Sequence, residues 1–119
     1  MSRTTHNWET EILLFKALSN EVRLKIIDVL RRRNMSVTEL CEETREYQTK
    51  ISHELRCLTV CGIVDFERDG KRIIYSLNKK TVLPILEAAD KHVEMYEERM
   101  KSCDTVSEAR RMKTVELTV

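Results

Sequence analysis

Two cysteines in the middle of the sequence have a spacing that suits soft-metal or redox chemistry. Cys57 and Cys61 stand four positions apart in the stretch from Tyr47 to Val64. Residues four apart on an α-helix have Cβ atoms roughly 5–6 Å apart, so their two sulfurs can share one large ion. Thiolate ligands select soft metals rather than magnesium or calcium. The spacing therefore predicts a site at which thiols hold a soft metal ion.

Three other interpretations of these thiols stay open at this point. The pair can be packing residues that fill space beside the following strands. It can be oxidised to a disulfide or use Cys103 as a resolving thiol, although cysteines four apart on an intact helix fit disulfide geometry poorly. One cysteine can act as a nucleophile with His53 as its base, but the pattern offers neither an oxyanion hole nor a pocket. We therefore predict that the protein is not an enzyme.

The two cysteines lie on a predicted helix that carries a second kind of chemistry. Ile51, Leu55 and Leu58 recur at helical spacing and predict a buried face, and Gly62 is suited to end the helix at a positive φ. At roughly 100° per residue, the cysteines fall on a flank of the helix. Its amino-terminal half is crowded with side chains that can reach DNA bases and phosphates: Gln48, Thr49, Lys50, Ser52 and His53.

The elements before this helix complete a predicted helix-turn-helix. Helices are expected over residues 8–18 and about 21–33. Ser36 and Glu39 have the spacing of a capping box, which predicts the start of a third helix. A short helix, a tight turn and a helix with a polar front make up a helix-turn-helix. In the third helix, Cys41 is expected to be a buried small apolar residue.

The elements after this helix predict a wing. Residues 63–67 and 72–77 read as two strands around Asp69-Gly70, which is a two-residue hairpin signal. The predicted fold class is therefore mainly α with a small β-hairpin, a winged helix-turn-helix. Three cations on the hairpin and on the central helix are expected to contact phosphates: Arg56, Lys71 and Arg72.

A long helix from about Thr81 is predicted to join two copies of the chain. Its apolar positions follow a spacing of four and three over nearly three heptads: Val82, Leu86, Ala89, Val93, Tyr96 and Met100. We expect a homodimer whose two recognition helices bind pseudo-palindromic double-stranded DNA. Residues 1–101 are expected to form the DNA-binding and dimerisation domain, and residues 102–119 a polar tail.

Composition is compatible with this interpretation. The 119 residues are 41% hydrophobic and 34% charged, with a net charge of +1. Residues 45–80 carry eight Lys and Arg against five Asp and Glu, whereas residues 81–108 carry three against seven, so one region can face DNA. The sequence contains neither a membrane-length apolar run nor a secretion signal. We expect a cytoplasmic protein with reduced cysteines, without membrane association or an organic cofactor.

The sequence from Leu14 to Leu77 resembles the ArsR/SmtB family of metal-responsive repressors. Four segments carry the resemblance: residues 18–27 (LSNEVRLKII), 48–55 (QTKISHEL), 62–64 (GIV) and 70–77 (GKRIIYSL). The resemblance implies a repressor that binds operator DNA as a metal-free dimer. Two departures concern the start of the recognition helix: Tyr47 replaces the usual Ser or Thr cap, and Arg45 stands where a turn glycine is expected.

The family resemblance also implies where metal binds. A Cys-Val-Cys site on the third helix is absent, because Ser36 and Thr38 occupy those positions, and His92 lacks a partner set. The remaining cysteines resemble a cadmium- and lead-sensing subgroup, which implies Cys57, Cys61 and the other protomer's Cys103 as ligands. Arsenite, mercury and bismuth also suit three thiolates. The alternatives are a thiol-redox or arsenite-responsive repressor of the same fold, and a DNA-binding protein without a ligand.

Overall fold

The computed structural model describes residues 7–103, which form five helices and three strands. Among these described residues, no helix is both long enough and apolar enough to cross a membrane. The mainly α winged helix-turn-helix is confirmed. In chain order the elements are α1 Trp8–Leu18, α2 Glu21–Arg32, β1 Met35–Ser36, α3 Val37–Thr44, α4 Gln48–Val60, β2 Val64–Asp69, β3 Arg72–Leu77 and α5 Val82–Lys101.

Side-chain caps set the starts of the first three helices. The side-chain oxygen of Asn7 accepts a hydrogen bond from the Thr10 amide, and that of Asn20 accepts one from the Arg23 amide. The capping box predicted before α3 is present: the Glu39 amide donates to Ser36 Oγ at 3.3 Å, and the Ser36 amide donates to Glu39 Oε1 at 3.0 Å. Each cap satisfies amides that would otherwise lack an intrahelical partner.

The turn before α4 forms without the expected glycine or side-chain cap. Arg45 ends α3 in the left-handed region, at φ 59° and ψ 38°. Tyr47 is the N-cap of α4 in an extended conformation, and its side chain makes no capping hydrogen bond. Helix α4 therefore starts at Gln48 without a side-chain cap, and Arg45 adopts a conformation that favours glycine.

The core of the winged helix-turn-helix is built from α2, α3 and α4. The predicted inner face of α4 is confirmed, because Ile51, Leu55 and Leu58 are fully buried. Burying each such side chain stabilises the fold by about 1.5–3 kcal/mol. Cys41 is half-buried rather than buried, so the expectation of a fully packed thiol was wrong. The largest completely buried side chains also include Ile26, Ile27, Leu30, Met35, Leu40, Ile63 and Val64.

The wing belongs to a three-stranded antiparallel sheet in the order β1-β3-β2, not to an isolated hairpin. Met35 pairs with Tyr75; β1 has two residues, too few for a period-two pattern to appear in the sequence. The hairpin prediction was displaced by one residue, because Asp69 pairs with Arg72. The loop is therefore Gly70 and Lys71, with Gly70 at φ 65°, the first-position glycine typical of a type II′ turn.

The described residues divide into two compact units, residues 7–83 and residues 84–103, so the boundary falls in the first turn of α5. Tyr96 has non-helical dihedral angles, φ −123° and ψ 15°, which interrupt the predicted continuous seam. Val82 and Leu86 are buried, whereas three later seam residues are exposed: Val93, Tyr96 and Met100. The predicted tail beyond Cys103 lies outside the described residues.

Replacing Arg45 with glycine should stabilise the protein. A non-glycine residue in the left-handed region costs roughly 1–2 kcal/mol, and part of this gain is offset by the greater flexibility of glycine in the unfolded chain. We expect Arg45→Gly to raise the free energy of unfolding by about 0.5–1 kcal/mol, measured by urea denaturation. Arg45→Ala is the control, since it removes the side chain but keeps Cβ. Equal stabilities of the two variants would contradict the explanation.

Candidate functional site

The polar residues predicted to read DNA share one exposed surface. All of them are exposed, in contrast to the buried Ile51, Leu55 and Leu58 of the same helix. At 100° per residue, Thr49, His53 and Arg56 lie opposite that buried face. The structure thus brings these predicted residues together at the front and outer face of α4: Gln48, Thr49, Lys50, Ser52, His53 and Arg56.

One flank of α4 faces the wing across an open groove of about 340 Å³. The rings of Phe66 and Tyr75 lie 5.9 Å apart along it. Val60, in the last turn of α4, lines the same groove and is 82% exposed. Val60 and Phe66 were not assigned to this surface from the sequence. Both are exposed apolar residues, and Val60 could have been noticed because it lies outside the buried face formed by Ile51, Leu55 and Leu58 of α4.

Two predicted phosphate contacts in the wing have different surroundings. Lys71 is exposed in the hairpin loop. Arg72 is also exposed, but its Nη2 lies 2.9 Å from Glu39 Oε1, and Arg33 contacts the other oxygen of Glu39 at 3.0 Å. The hydrogen bond from the Ser36 amide and then the one from Arg33 lower the pKa of Glu39 to about 2. Arg72 therefore forms an ion pair with Glu39 of α3 and would have to share or break this contact to bind a phosphate.

The thiol pair occupies the carboxyl end of α4. The helix ends at Val60, Cys61 is its C-cap, and the Cys61 amide donates to the Cys57 carbonyl oxygen at 3.1 Å. Gly62 follows at φ 75°, as predicted for the residue that ends this helix. Cys57 is half-buried and Cys61 is exposed. Desolvation raises the pKa of Cys61, as do the charge of Cys57 and a side-chain hydrogen bond with it; the Arg23 guanidinium acts in the opposite direction. The two thiols therefore lie about one helical turn apart on the same side of α4.

The same flank contains an ion pair that sequence reasoning missed. Glu54 is 8% exposed, and its Oε1 lies 2.8 Å from Nη1 of Arg23 on α2. Arg23 Nε donates to the Ala17 carbonyl at 2.7 Å, and Nη2 donates to the Lys16 carbonyl at 3.0 Å. The available signal was a glutamate beside the apolar stripe of α4, since a buried carboxylate requires a partner.

The donor chemistry of the thiol pair fits part of a soft-metal site. Within residues 7–103, no group of three or more His, Cys, Asp and Glu is arranged to hold a metal ion. The third predicted ligand, Cys103, follows the end of α5 and is exposed. Its amide donates to the Met100 carbonyl oxygen at 3.2 Å. One described chain thus supplies two adjacent thiols, and a three-thiolate site needs a further ligand.

Comparison with known proteins identifies relatives among bacterial regulators. Residues 20–65 match the family model described as bacterial regulatory protein, arsR family. HTH-type transcriptional regulator NmtR of Mycobacterium tuberculosis is 38% identical over 79 residues, which are 66% of each chain. A cadmium resistance regulatory protein CadC homolog of Staphylococcus aureus is 34% identical over 80 residues, again 66% of each. The chain therefore spans just under two thirds of these two relatives.

The match covers a larger share of a third relative. Transcriptional repressor SdpR of Bacillus subtilis is 35% identical over 65 residues, which are 55% of this chain and 72% of that protein. These relatives are transcriptional regulators, in agreement with the prediction of a regulator rather than an enzyme.

Solved structures share the fold. The crystal structure of M. tuberculosis Rv0081 has a TM-score of 0.72 and 27% identity, covering 78% of this chain and 95% of that one. The homodimeric winged helix-turn-helix DNA-binding domain of Mb0332 from Mycobacterium bovis has a TM-score of 0.64 and 25% identity, with the same coverage.

The titration of Glu39 should contribute to the loss of folding stability at low pH. Its pKa is lowered from 4.5 to about 2, so its contribution to stability is present above pH 4.5 and is lost as the pH falls toward 2. Glu39→Gln keeps a side-chain oxygen for the capping box but cannot titrate. We expect the free energy of unfolding of this variant to fall less steeply over that pH range, measured by urea denaturation. Glu42→Gln, an exposed change on the same helix, is the control; an unchanged slope for Glu39→Gln would contradict this role.

Proposed function

Because this chain belongs to the ArsR family of bacterial regulatory proteins, we propose that it is a transcriptional repressor released from operator DNA by a soft, thiophilic metal ion. The observation that carries the proposal is the position of the thiols. Cys57 and Cys61 lie about one turn apart on the flank of the helix whose outer face presents the predicted DNA-reading residues. A ligand held by these thiols therefore acts on the recognition helix itself.

The exposed front of α4 is suited to the major groove of operator DNA. Side chains at the start of a recognition helix contact base edges, whereas wing cations contact phosphates. Gln48, Ser52 and His53 offer hydrogen-bonding groups to bases, and Lys50, Arg56 and Lys71 offer positive charge. Arg72 can also contact a phosphate if it shares or gives up its ion pair with Glu39.

The proposed repressor is a homodimer. On α1, four large apolar side chains are exposed: Trp8, Ile12, Leu13 and Phe15. On α5, Val93 and Met100 are exposed as well. Exposed apolar patches of this kind mark interaction sites, and the related Mb0332 domain is homodimeric. Two copies of α4 in a dimer would meet half-sites about 34–36 Å apart on DNA.

The proposed metal site combines Cys57 and Cys61 with Cys103 of the partner subunit. Three thiolates suit cadmium or lead, and the CadC homolog is named for cadmium resistance. A soft metal ion bound there would be held by thiolate ligands from both subunits. The chain's own part is to present two thiols from the end of α4 and one from beyond α5, so that α4 is restrained in an arrangement that fits the operator poorly.

If α4 and the wing bind DNA as proposed, variants on the helix should change sequence preference and a variant on the wing should change overall affinity. Ser52→Ala and His53→Ala should lower the preference for operator over random DNA, because they remove hydrogen bonds to bases. Lys71→Ala should weaken binding to all sequences alike and reduce the salt dependence by about one phosphate contact. Fluorescence anisotropy at several salt concentrations measures both effects, with Lys91→Ala on α5 as the control. Unchanged specificity in both helix variants would contradict the assignment of α4.

The metal-sensing part predicts separate effects for the cysteines. Cadmium added to the reduced protein should produce ultraviolet sulfur-to-metal charge transfer and lower operator affinity by roughly 5–150-fold, a typical coupling. Cys57→Ser and Cys61→Ser should keep DNA binding but lose this release, and Cys103→Ser should weaken metal binding or coupling. Cys41→Ser is the control and should release DNA normally.

The outcomes distinguish the proposal from its alternatives. Release of the Cys57→Ser/Cys61→Ser double variant by cadmium would contradict the proposed site. Release by peroxide and recovery with reductant, without a response to cadmium, would identify a redox sensor. Release by arsenite with no response to cadmium or lead would identify the metalloid as the ligand.

A further inference from the structure

We propose that Arg23 is a positioning residue that couples the thiol flank of α4 to α1, and thereby sets how strongly thiol-bound metal changes DNA affinity. This role rests on the proposed metal response. Arg23 belongs to the first turn of α2 and is neither a predicted metal ligand nor a predicted DNA contact. Its importance follows from its contacts, which join three helices within the first compact unit.

Each nitrogen of the Arg23 guanidinium donates to a different acceptor. Nη1 contacts Glu54 on α4, while Nε and Nη2 contact the carbonyls of Ala17 and Lys16 at the end of α1. The Arg23 amide also donates to the side chain of Asn20, which fixes the start of α2. Because the guanidinium is planar and rigid, a shift of Glu54 relative to α1 strains or breaks at least one of these hydrogen bonds.

The position of Glu54 connects this arrangement to the thiols. Glu54, Cys57 and Cys61 occupy positions i, i+3 and i+7 and therefore share one flank of α4. A ligand that draws the two sulfurs toward a third group therefore pulls on the flank that Arg23 holds. The opposite flank, beside the wing, lacks such a link to α1 among the contacts described above.

The far end of the connection is α1, which carries the exposed apolar residues assigned to the dimer interface. Arg23 caps the last carbonyls of α1, as arginine side chains often do at helix ends. The angle between α4 and this helix therefore depends on the Arg23–Glu54 contact. In a dimer, a small change in that angle changes the spacing of the two recognition helices on DNA.

Another ion pair in the same region provides a matched control. Lys25, two residues after Arg23, contacts Glu46 at 3.1 Å, just before α4. The Lys25 side chain is 44% exposed, whereas that of Arg23 is 16% exposed. Exposed pairs contribute little to stability, and Lys25 has no described hydrogen bond to the carbonyls of α1.

The test measures operator affinity of the full, reduced protein with and without cadmium in Arg23→Gln, Arg23→Lys, Glu54→Gln and the Arg23→Gln/Glu54→Gln double variant. We expect the ratio of the two affinities to shrink at least fivefold in Arg23→Gln and Glu54→Gln, with no further loss in the double variant. Arg23→Lys, which keeps the charge but not the fork, should retain an intermediate ratio. Sulfur-to-cadmium charge transfer should remain at its normal intensity, and Lys25→Gln should behave like the unmodified protein.

A second readout reports directly on α1. In NMR spectra, the amides of residues 16–19 should shift when cadmium binds the unmodified protein but not Glu54→Gln. A purely structural role for Arg23 would weaken DNA binding equally with and without cadmium and leave the ratio unchanged. Folded variants that keep the normal ratio and the normal α1 shifts would overturn the role of Arg23. If cadmium leaves the operator affinity of the unmodified protein unchanged, that result would instead overturn the proposed function, and this inference with it.

Discussion

The rotation of α4 about its own axis is set by three side chains, and the arrangement of the remaining groups follows from it. Ile51, Leu55 and Leu58 are buried together against α2 and α3. Truncating one such residue typically costs about 2–5 kcal/mol, whereas an exposed ion pair contributes about 0–1 kcal/mol. Packing therefore determines which face of α4 meets solvent. With that rotation, His53 is presented outward, Ser52 lies toward the wing, and Cys57 lies on the other flank.

Polar contacts then connect the oriented helix to its neighbours. Glu54 is buried beside the thiols, and its charge requires Arg23 as a partner. Glu39 similarly joins the start of α3 to Arg72 of the wing. These two carboxylates differ in their surroundings, since Glu54 is buried between helices and Glu39 is partly exposed. The first links α4 to α2, and the second links the start of α3 to the wing.

Much of this structure could be predicted from the sequence because its signals are local. Helical spacing identified the inner face of α4, Ser36 and Glu39 identified the start of α3, and the pattern after Gly62 identified the hairpin. Three features could not be predicted in this way. The pairing of β1 with β3 and the Arg23–Glu54 contact join residues distant in sequence. The one-residue displacement at Gly70 depends on strand register, which two adjacent turn residues do not specify.

The thiol pair was predicted from spacing, and the structure places both cysteines at the carboxyl end of α4; the metal site they would form stays a prediction, and the role of Cys103 depends on a second subunit. In the proposed mechanism, metal bound by the thiols of α4 and DNA bound at α4 oppose each other. Linkage makes this claim reciprocal. The most direct test titrates cadmium into the reduced protein with and without saturating operator, and operator with and without cadmium. We expect the same loss of affinity, roughly 5–150-fold, in both directions. Full charge transfer from the thiols with unchanged affinity in both titrations would contradict it.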